Sequence, residues 1–127
     1  MHTQFIDVRG LRLAVHRWGA PEAPALLLLH GFLDAGLSFR AIAEKLADRY
    51  QVLAPDFRGF GHSGWVGSGG YYHFYDYWSD MAALIRELLP GPFHLVGHSM
   101  GGSVATGMAA LGIGDVRSLL LLEGLGP

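Results

Sequence analysis

The chain has 127 residues, half of them hydrophobic and 16% charged, with a formal net charge of −2. This size and composition suit one globular domain with a real core and exclude a disordered chain. A near-neutral balance without any Lys/Arg run leaves no electrostatic footprint for nucleic acid, and the lack of cysteine excludes disulfides and thiolate-held metal.

The N-terminal Met1-His2-Thr3-Gln4-Phe5-Ile6-Asp7 has no basic segment followed by an apolar core, so no signal peptide is expected. The longest uninterrupted apolar run, Ala25 to Leu29, is far short of the ~20 residues that span a bilayer. The expectation is a soluble, cytoplasmic protein that makes no membrane contact.

In chain order, Phe5 to Val8 and Leu11 to Arg17 alternate around Arg9-Gly10 and read as a hairpin. Leu11, Leu13 and Val15 are expected on one face, and Arg12, Ala14 and His16 on the other. Ala25-Leu26-Leu27-Leu28-Leu29 reads as a strand buried on both faces, as in a central parallel sheet. Ser38 is the expected N-cap of a helix carrying Phe39, Ile42, Ala43 and Leu46. Gln51 to Ala54 is the next strand. After a glycine- and aromatic-rich loop, Tyr77, Trp78, Met81, Leu84, Ile85 and Leu88 form a helical stripe that Pro90-Gly91-Pro92 stops. Phe93 to Gly97 is a strand, a helix of small residues runs to about Leu111, and Val116 to Leu122 reads as one more buried strand. Strands alternating with helices imply βαβ units and a mostly parallel sheet covered on both faces, an α/β fold.

Chemistry is expected at the C-terminal ends of the parallel strands. Gly97-His98-Ser99-Met100-Gly101 is a Gly-x-Ser-x-Gly between strand and helix, which places Ser99 at the apex of a sharp turn with its hydroxyl projecting clear. His30-Gly31-Phe32 follows the buried strand. If Ser99 attacks a carbonyl, the backbone N–H groups of Met100 and Phe32 are the candidate donors to the oxyanion.

Together these motifs resemble the α/β-hydrolase superfamily in its serine-nucleophile, esterase-like branch. The match covers the hairpin, His30-Gly31-Phe32, Asp56-x-Arg58-Gly59-x-Gly61-x-Ser63 and the Ser99 elbow, in the family's order. The closing Leu122-Glu123-Gly124-Leu125-Gly126-Pro127 is similar to the segment that leads into the lid of small esterase-like members. The resemblance implies a triad in the order Ser, acid, His, with the histidine after the last strand. No counterpart to that strand, the lid or that histidine occurs, so the chain reads as the N-terminal half of one domain, residues 1–127, truncated after the sixth strand. Glu123, ending that strand, is a candidate acid, because some relatives take their acid there and most take it later.

None of the seven histidines reads as the missing base. His30 belongs to the oxyanion loop, His62 lies in a turn, His94 lies in a strand, and His98 neighbours Ser99 through its backbone only. His2, His16 and His73 have no motif context. Gly59-Phe60-Gly61-His62-Ser63-Gly64 spells a dinucleotide-binding pattern, but the Trp65-Val66-Gly67-Ser68-Gly69-Gly70 that follows cannot continue a helix, so no such cofactor is expected. Asp56 and Arg58 read as turn scaffolding, with the Asp56 carboxylate offered to nearby N–H groups. Tyr71, Tyr72, Phe74, Tyr75, Tyr77 and Trp78 read as core and under-lid packing, with the lining of a hydrophobic substrate pocket as the alternative. Asp34, Asp76 and Asp80 show no metal-ligand spacing, so no metal is implied.

The expected activity is hydrolysis of a small apolar ester, thioester or related carbonyl substrate through an acyl-enzyme, with little turnover by this chain alone. The alternatives are a half-domain that self-associates, or recruits a complementing C-terminal fragment, through the Val116–Leu122 edge, and a ligand-binding relative without turnover.

Overall fold

A computed structural model describes residues 1–124; Leu125, Gly126 and Pro127, at the end of the expected lid-leading segment, lie outside the described residues. The elements are β1 (His2–Val8), β2 (Leu11–Trp18), β3 (Ala25–Leu29), α1 (Arg40–Leu46), β4 (Gln51–Pro55), α2 (Phe74–Leu88), β5 (Pro92–His98), α3 (Met100–Ala110) and β6 (Asp115–Leu122). They build a six-stranded sheet in the order β1-β2-β4-β3-β5-β6. The β1–β2 and β2–β4 pairs are antiparallel, and β3, β4, β5 and β6 run parallel. This is the expected α/β architecture.

Side-chain parity along β3 explains why the run of leucines is a strand buried on both faces. Leu27 and Leu29 enter one core with Leu53, Phe93 and Leu95, covered by Met81, Leu84 and Ile85 of α2 and by Val104, Ala105 and Met108 of α3. Leu26 and Leu28 enter a second core with Val52, Ala54 and Ala43 of α1. A period of two thus sends alternate leucines to opposite layers.

Two local expectations change. Ser38 is not an N-cap: it sits inside a 3₁₀ turn, Gly36–Phe39, and α1 begins at Arg40 without a side-chain cap. Its hydroxyl donates instead to the Asp34 carboxylate, which also accepts the Ala35 N–H. In β2 the two faces divide as expected, and both are covered: Leu13, Ala14, Val15 and His16 are all fully buried. The strand lies inside the sheet, between β1 and β4, and both its faces are covered. Finally, β6 is not buried: Leu119, Leu120, Leu121 and Leu122 are 37–55% exposed. Among the described residues nothing pairs with its outer edge.

The N-terminal hairpin is tied down by charge. Arg58 donates to both Asp80 oxygens, from Nε at 2.6 Å and from Nη2 at 2.7 Å, and Arg9 reaches Asp80 at 3.1 Å and Asp76 at 3.2 Å. Bidentate bonding to Asp80 holds the Arg58 guanidinium above its ordinary range, against the cost of its burial. Asp76 lies below the usual carboxylate range: its partial desolvation is outweighed by the His73 N–H and the two arginines. Arg58 is therefore the scaffolding residue that the sequence suggested, with two aspartates that spacing alone left without a partner.

Candidate active site

Ser99 occupies the tight link between β5 and α3 with φ 52° and ψ −117°. An L-residue rarely adopts such a backbone, and the conformation is held by its surroundings. The Ser99 N–H donates to the Leu122 carbonyl of β6 at 3.1 Å, and its own carbonyl accepts the N–H groups of Gly102 and Ser103. Strand and helix meet so closely here that only glycine fits. A β-carbon on Gly97 would lie 2.7 Å from Gly102 Cα, and one on Gly101 2.5 Å from the His30 carbonyl oxygen. The two glycines of the pentapeptide are explained by contact and not by turn preference.

The parallel β3–β5 register pairs Leu29 with Gly97. Two residues further along each strand, Gly31 therefore meets Ser99. A β-carbon on Gly31 would lie 3.3 Å from Ser99 Cβ and 3.1 Å from His98 Nδ1. The His98 side chain, which the sequence left without a role, packs on the His30-Gly31-Phe32 loop. This crevice lies where the chain, having crossed from β3 outward to β4, returns over the sheet to β5, a topological switch point.

His30 is wholly buried and fully committed. Its Nε2 accepts the Phe57 N–H at 3.0 Å, so the ring proton resides on Nδ1, which donates to the Gly31 carbonyl at 2.7 Å. Burial is the main cause that pushes its pKa below the ordinary value. A neutral ring with its only lone pair occupied cannot take a proton from Ser99. It can, however, aim the loop. In a trans peptide the C=O and N–H point in opposite directions, so holding the Gly31 carbonyl inward turns the Phe32 N–H outward. The Phe32 side chain is 66% exposed beside the site.

The Met100 N–H, the other candidate donor, lies at the first helical position of α3, where backbone N–H groups have no partner within the helix. Among the described residues neither the Phe32 nor the Met100 N–H donates a hydrogen bond, and no histidine bonds the Ser99 hydroxyl. Glu123 follows β6 directly, exposed, with φ 53°. Its neighbour Gly124 packs against Gly102 of the elbow.

Of the other candidates, Asp56 behaves as the sequence suggested and accepts the N–H groups of Gly36 at 2.7 Å and His62 at 2.8 Å. His94 bonds Ser118 across β5–β6, away from Ser99. The Gly59–Gly64 segment is a turn, and the next helix after it starts only at Phe74. The aromatic cluster divides. Tyr77 enters the core and Trp78 docks α2 on α3 through the Val104 carbonyl, whereas Tyr71 and Tyr75 are about three-quarters exposed. No helix among the described residues is long and apolar enough to cross a membrane.

A strained turn residue at a strand–helix junction, facing a second loop with free N–H donors, defines a hydrolase-type crevice. The chain belongs to the family described as the alpha/beta hydrolase fold, whose model matches residues 24–127. It is 39% identical over 126 residues to the 3-hydroxybutyrate-oligomer hydrolase of Cupriavidus necator, covering 98% of this chain and 43% of that protein. It is 41% identical over 105 residues to a fluoroacetate dehalogenase of Burkholderia sp, covering 80% of this chain and 34% of that one. The thioesterase domain from the curacin biosynthetic pathway superposes with a TM-score of 0.92 at 34% identity, covering 98% of this chain and 46% of that one. The chain thus spans less than half the length of each of these relatives.

Proposed function

We propose that this chain carries the nucleophile and oxyanion half of a serine hydrolase acting on a small, mostly apolar ester, thioester or related carbonyl substrate. The observation that supports this most is the placement of Ser99: a half-buried turn apex at φ 52°, opposite Gly31 and followed directly by the unengaged Met100 N–H. In the reaction the Ser99 oxygen bonds to the carbonyl carbon and its proton passes to a base. The Phe32 and Met100 N–H groups receive the charge that collects on the carbonyl oxygen. The leaving group departs with that proton, and water then cleaves the acyl-enzyme. Each such donor contributes about 3 kcal/mol to the transition state. Relatives named for a hydroxybutyrate oligomer and for a thioester fit this substrate class.

The base belongs to sequence outside these 127 residues in this reading, because His30 is locked and none of the described histidines engages Ser99. Glu123 is the candidate acid, since it directly follows the carbonyl that fastens the Ser99 N–H. Fluorophosphonate labelling with peptide mapping tests the core of the proposal. The adduct should map to Ser99, and Ser99→Ala should abolish it; labelling that persists in Ser99→Ala overturns the assignment.

A second reading rests on β6. We propose that its exposed leucines pair with a complementing C-terminal segment or with a second copy, because an unpaired apolar edge is a template for another strand. Size-exclusion chromatography checks this: a monomer at all concentrations, unchanged by adding a C-terminal fragment, counts against it.

A further inference from the structure

One cluster of ligating side chains lies outside the crevice. His16 of β2, Asp56 at the end of β4 and His62 in the following turn each place one nitrogen or oxygen within 4.8 Å of the other two. We propose that these three residues form a binding site for a divalent first-row transition cation of the Zn²⁺ type, which clamps the N-terminal hairpin to the sheet.

Donor chemistry and spacing carry the inference. Two imidazoles and one carboxylate are a common ligand set for Zn²⁺, with bond lengths near ~2.0–2.2 Å, so tetrahedral ligands stand about 3.3 Å apart. His16 Nε2 lies 3.2 Å from Asp56 Oδ2, and His62 Nδ1 lies 3.6 Å from the same oxygen. Two edges of the required polyhedron are therefore already set to within a few tenths of an ångström. The third closes by rotation of the His62 side chain, which is 63% exposed and meets the His16 ring edge-on. The same exposure gives the cation an entrance and leaves the fourth position to water.

The surroundings hold two of the ligands in place before any cation arrives. Asp56 is completely buried, and its Oδ1 is fastened by the Gly36 N–H. Its Oδ2 accepts the His62 N–H through one lone pair and turns the other toward the two imidazoles. Gly61 has no side chain because a β-carbon there would collide with this carboxylate. His16 is equally buried, and its Nδ1 lies 2.9 Å from the Thr3 hydroxyl of β1. A hydroxyl can accept as well as donate. Without a cation, Nε2–H donates to Asp56 and Nδ1 accepts from Thr3. With one bound, the proton sits on Nδ1 and is held by Thr3, which leaves the Nε2 lone pair to the cation. Outer bonds of this kind fix the tautomer in metal-ligating histidines.

The cation would join four segments, β1 through Thr3, β2, the end of β4 and the Gly59–Gly64 turn. Its effect is on stability, and it takes no part in the Ser99 chemistry.

The test is titration of the purified, chelator-treated protein with Zn²⁺ by calorimetry, with thermal unfolding in parallel. One equivalent should bind with a dissociation constant of ~10 µM or tighter, and saturation should raise the melting temperature by about 5–10 °C. His62→Ala, a change in an exposed turn that leaves the circular dichroism intact, should weaken binding at least ~10-fold and remove the thermal shift. His2→Gln, at a histidine outside the cluster, should bind as the parent does. Binding weaker than ~1 mM, equal affinity in His62→Ala, or loss of binding in His2→Gln alone would each overturn the proposal.

Discussion

His30 offers the sharpest test of how the loop opposite Ser99 is held. In His30→Phe the ring volume is nearly kept, but the Phe57 N–H and the Gly31 carbonyl both lose their partner. Each buried, unsatisfied backbone group costs about 1–3 kcal/mol, so the variant should lose about 2–6 kcal/mol. That is a large share of the ~5–15 kcal/mol typical of a domain. Urea unfolding followed by tryptophan fluorescence at pH 7.5 measures the loss. The pH dependence supplies a signature that packing changes lack. Burial lowers the folded-state pKa of His30 below its unfolded value near ~6.5. Between those two values the unfolded chain binds more protons, so stability from this group is complete above ~6.5 and falls as pH drops through it. The slope reaches at most ~1.4 kcal/mol per pH unit. The variant lacks this contribution, and the gap between the two proteins should narrow from pH 7.5 to pH 5. A gap under ~1 kcal/mol at pH 7.5, or one that stays constant with pH, refutes the reasoning.

Other sites give equally direct readouts. Ser99→Gly should be more stable than Ser99→Ala by about 1–2 kcal/mol in urea, because glycine relieves a positive φ that alanine retains. Asp80→Asn removes the bidentate charge partner of the nearly buried Arg58 guanidinium, leaving only Asp76 at 3.6 Å, and should cost about 3–5 kcal/mol by the same assay; a cost below ~1 kcal/mol would show the network to be dispensable. Gly101→Ala drives a methyl into the backbone of β3 and should destabilise by about 1–3 kcal/mol or more and displace the elbow, seen as slower fluorophosphonate labelling. Leu120→Lys, on the exposed face of β6, should reduce concentration-dependent association in size-exclusion chromatography and leave the unfolding midpoint nearly unchanged.

Much of this protein is legible from its sequence because the governing signals are local. Five consecutive apolar residues from Ala25 announce a two-sided strand, the stripe from Tyr77 to Leu88 announces α2, and the spacing of Gly97, Ser99 and Gly101 announces a turn that only glycines allow. The placement of Phe32 just after β3, and of Ser99 and Met100 just after β5, was legible for the same reason: each follows directly on an apolar strand. What required the fold was everything that depends on which strands are neighbours. The Leu29–Gly97 register, invisible in either segment alone, is what sets Gly31 against Ser99. Ser38 looked like a cap because spacing cannot show that Asp34 competes for its hydroxyl. Likewise β6 looked buried because its composition is that of a core strand, whereas burial depends on what packs beside it. His16 and Asp56 stand 40 residues apart and carry no motif together, yet the antiparallel β2–β4 pairing brings them into contact. Local sequence sets backbone preference and the pattern of apolar faces; which side chains meet is decided by strand order and register, because those are properties of the whole sheet.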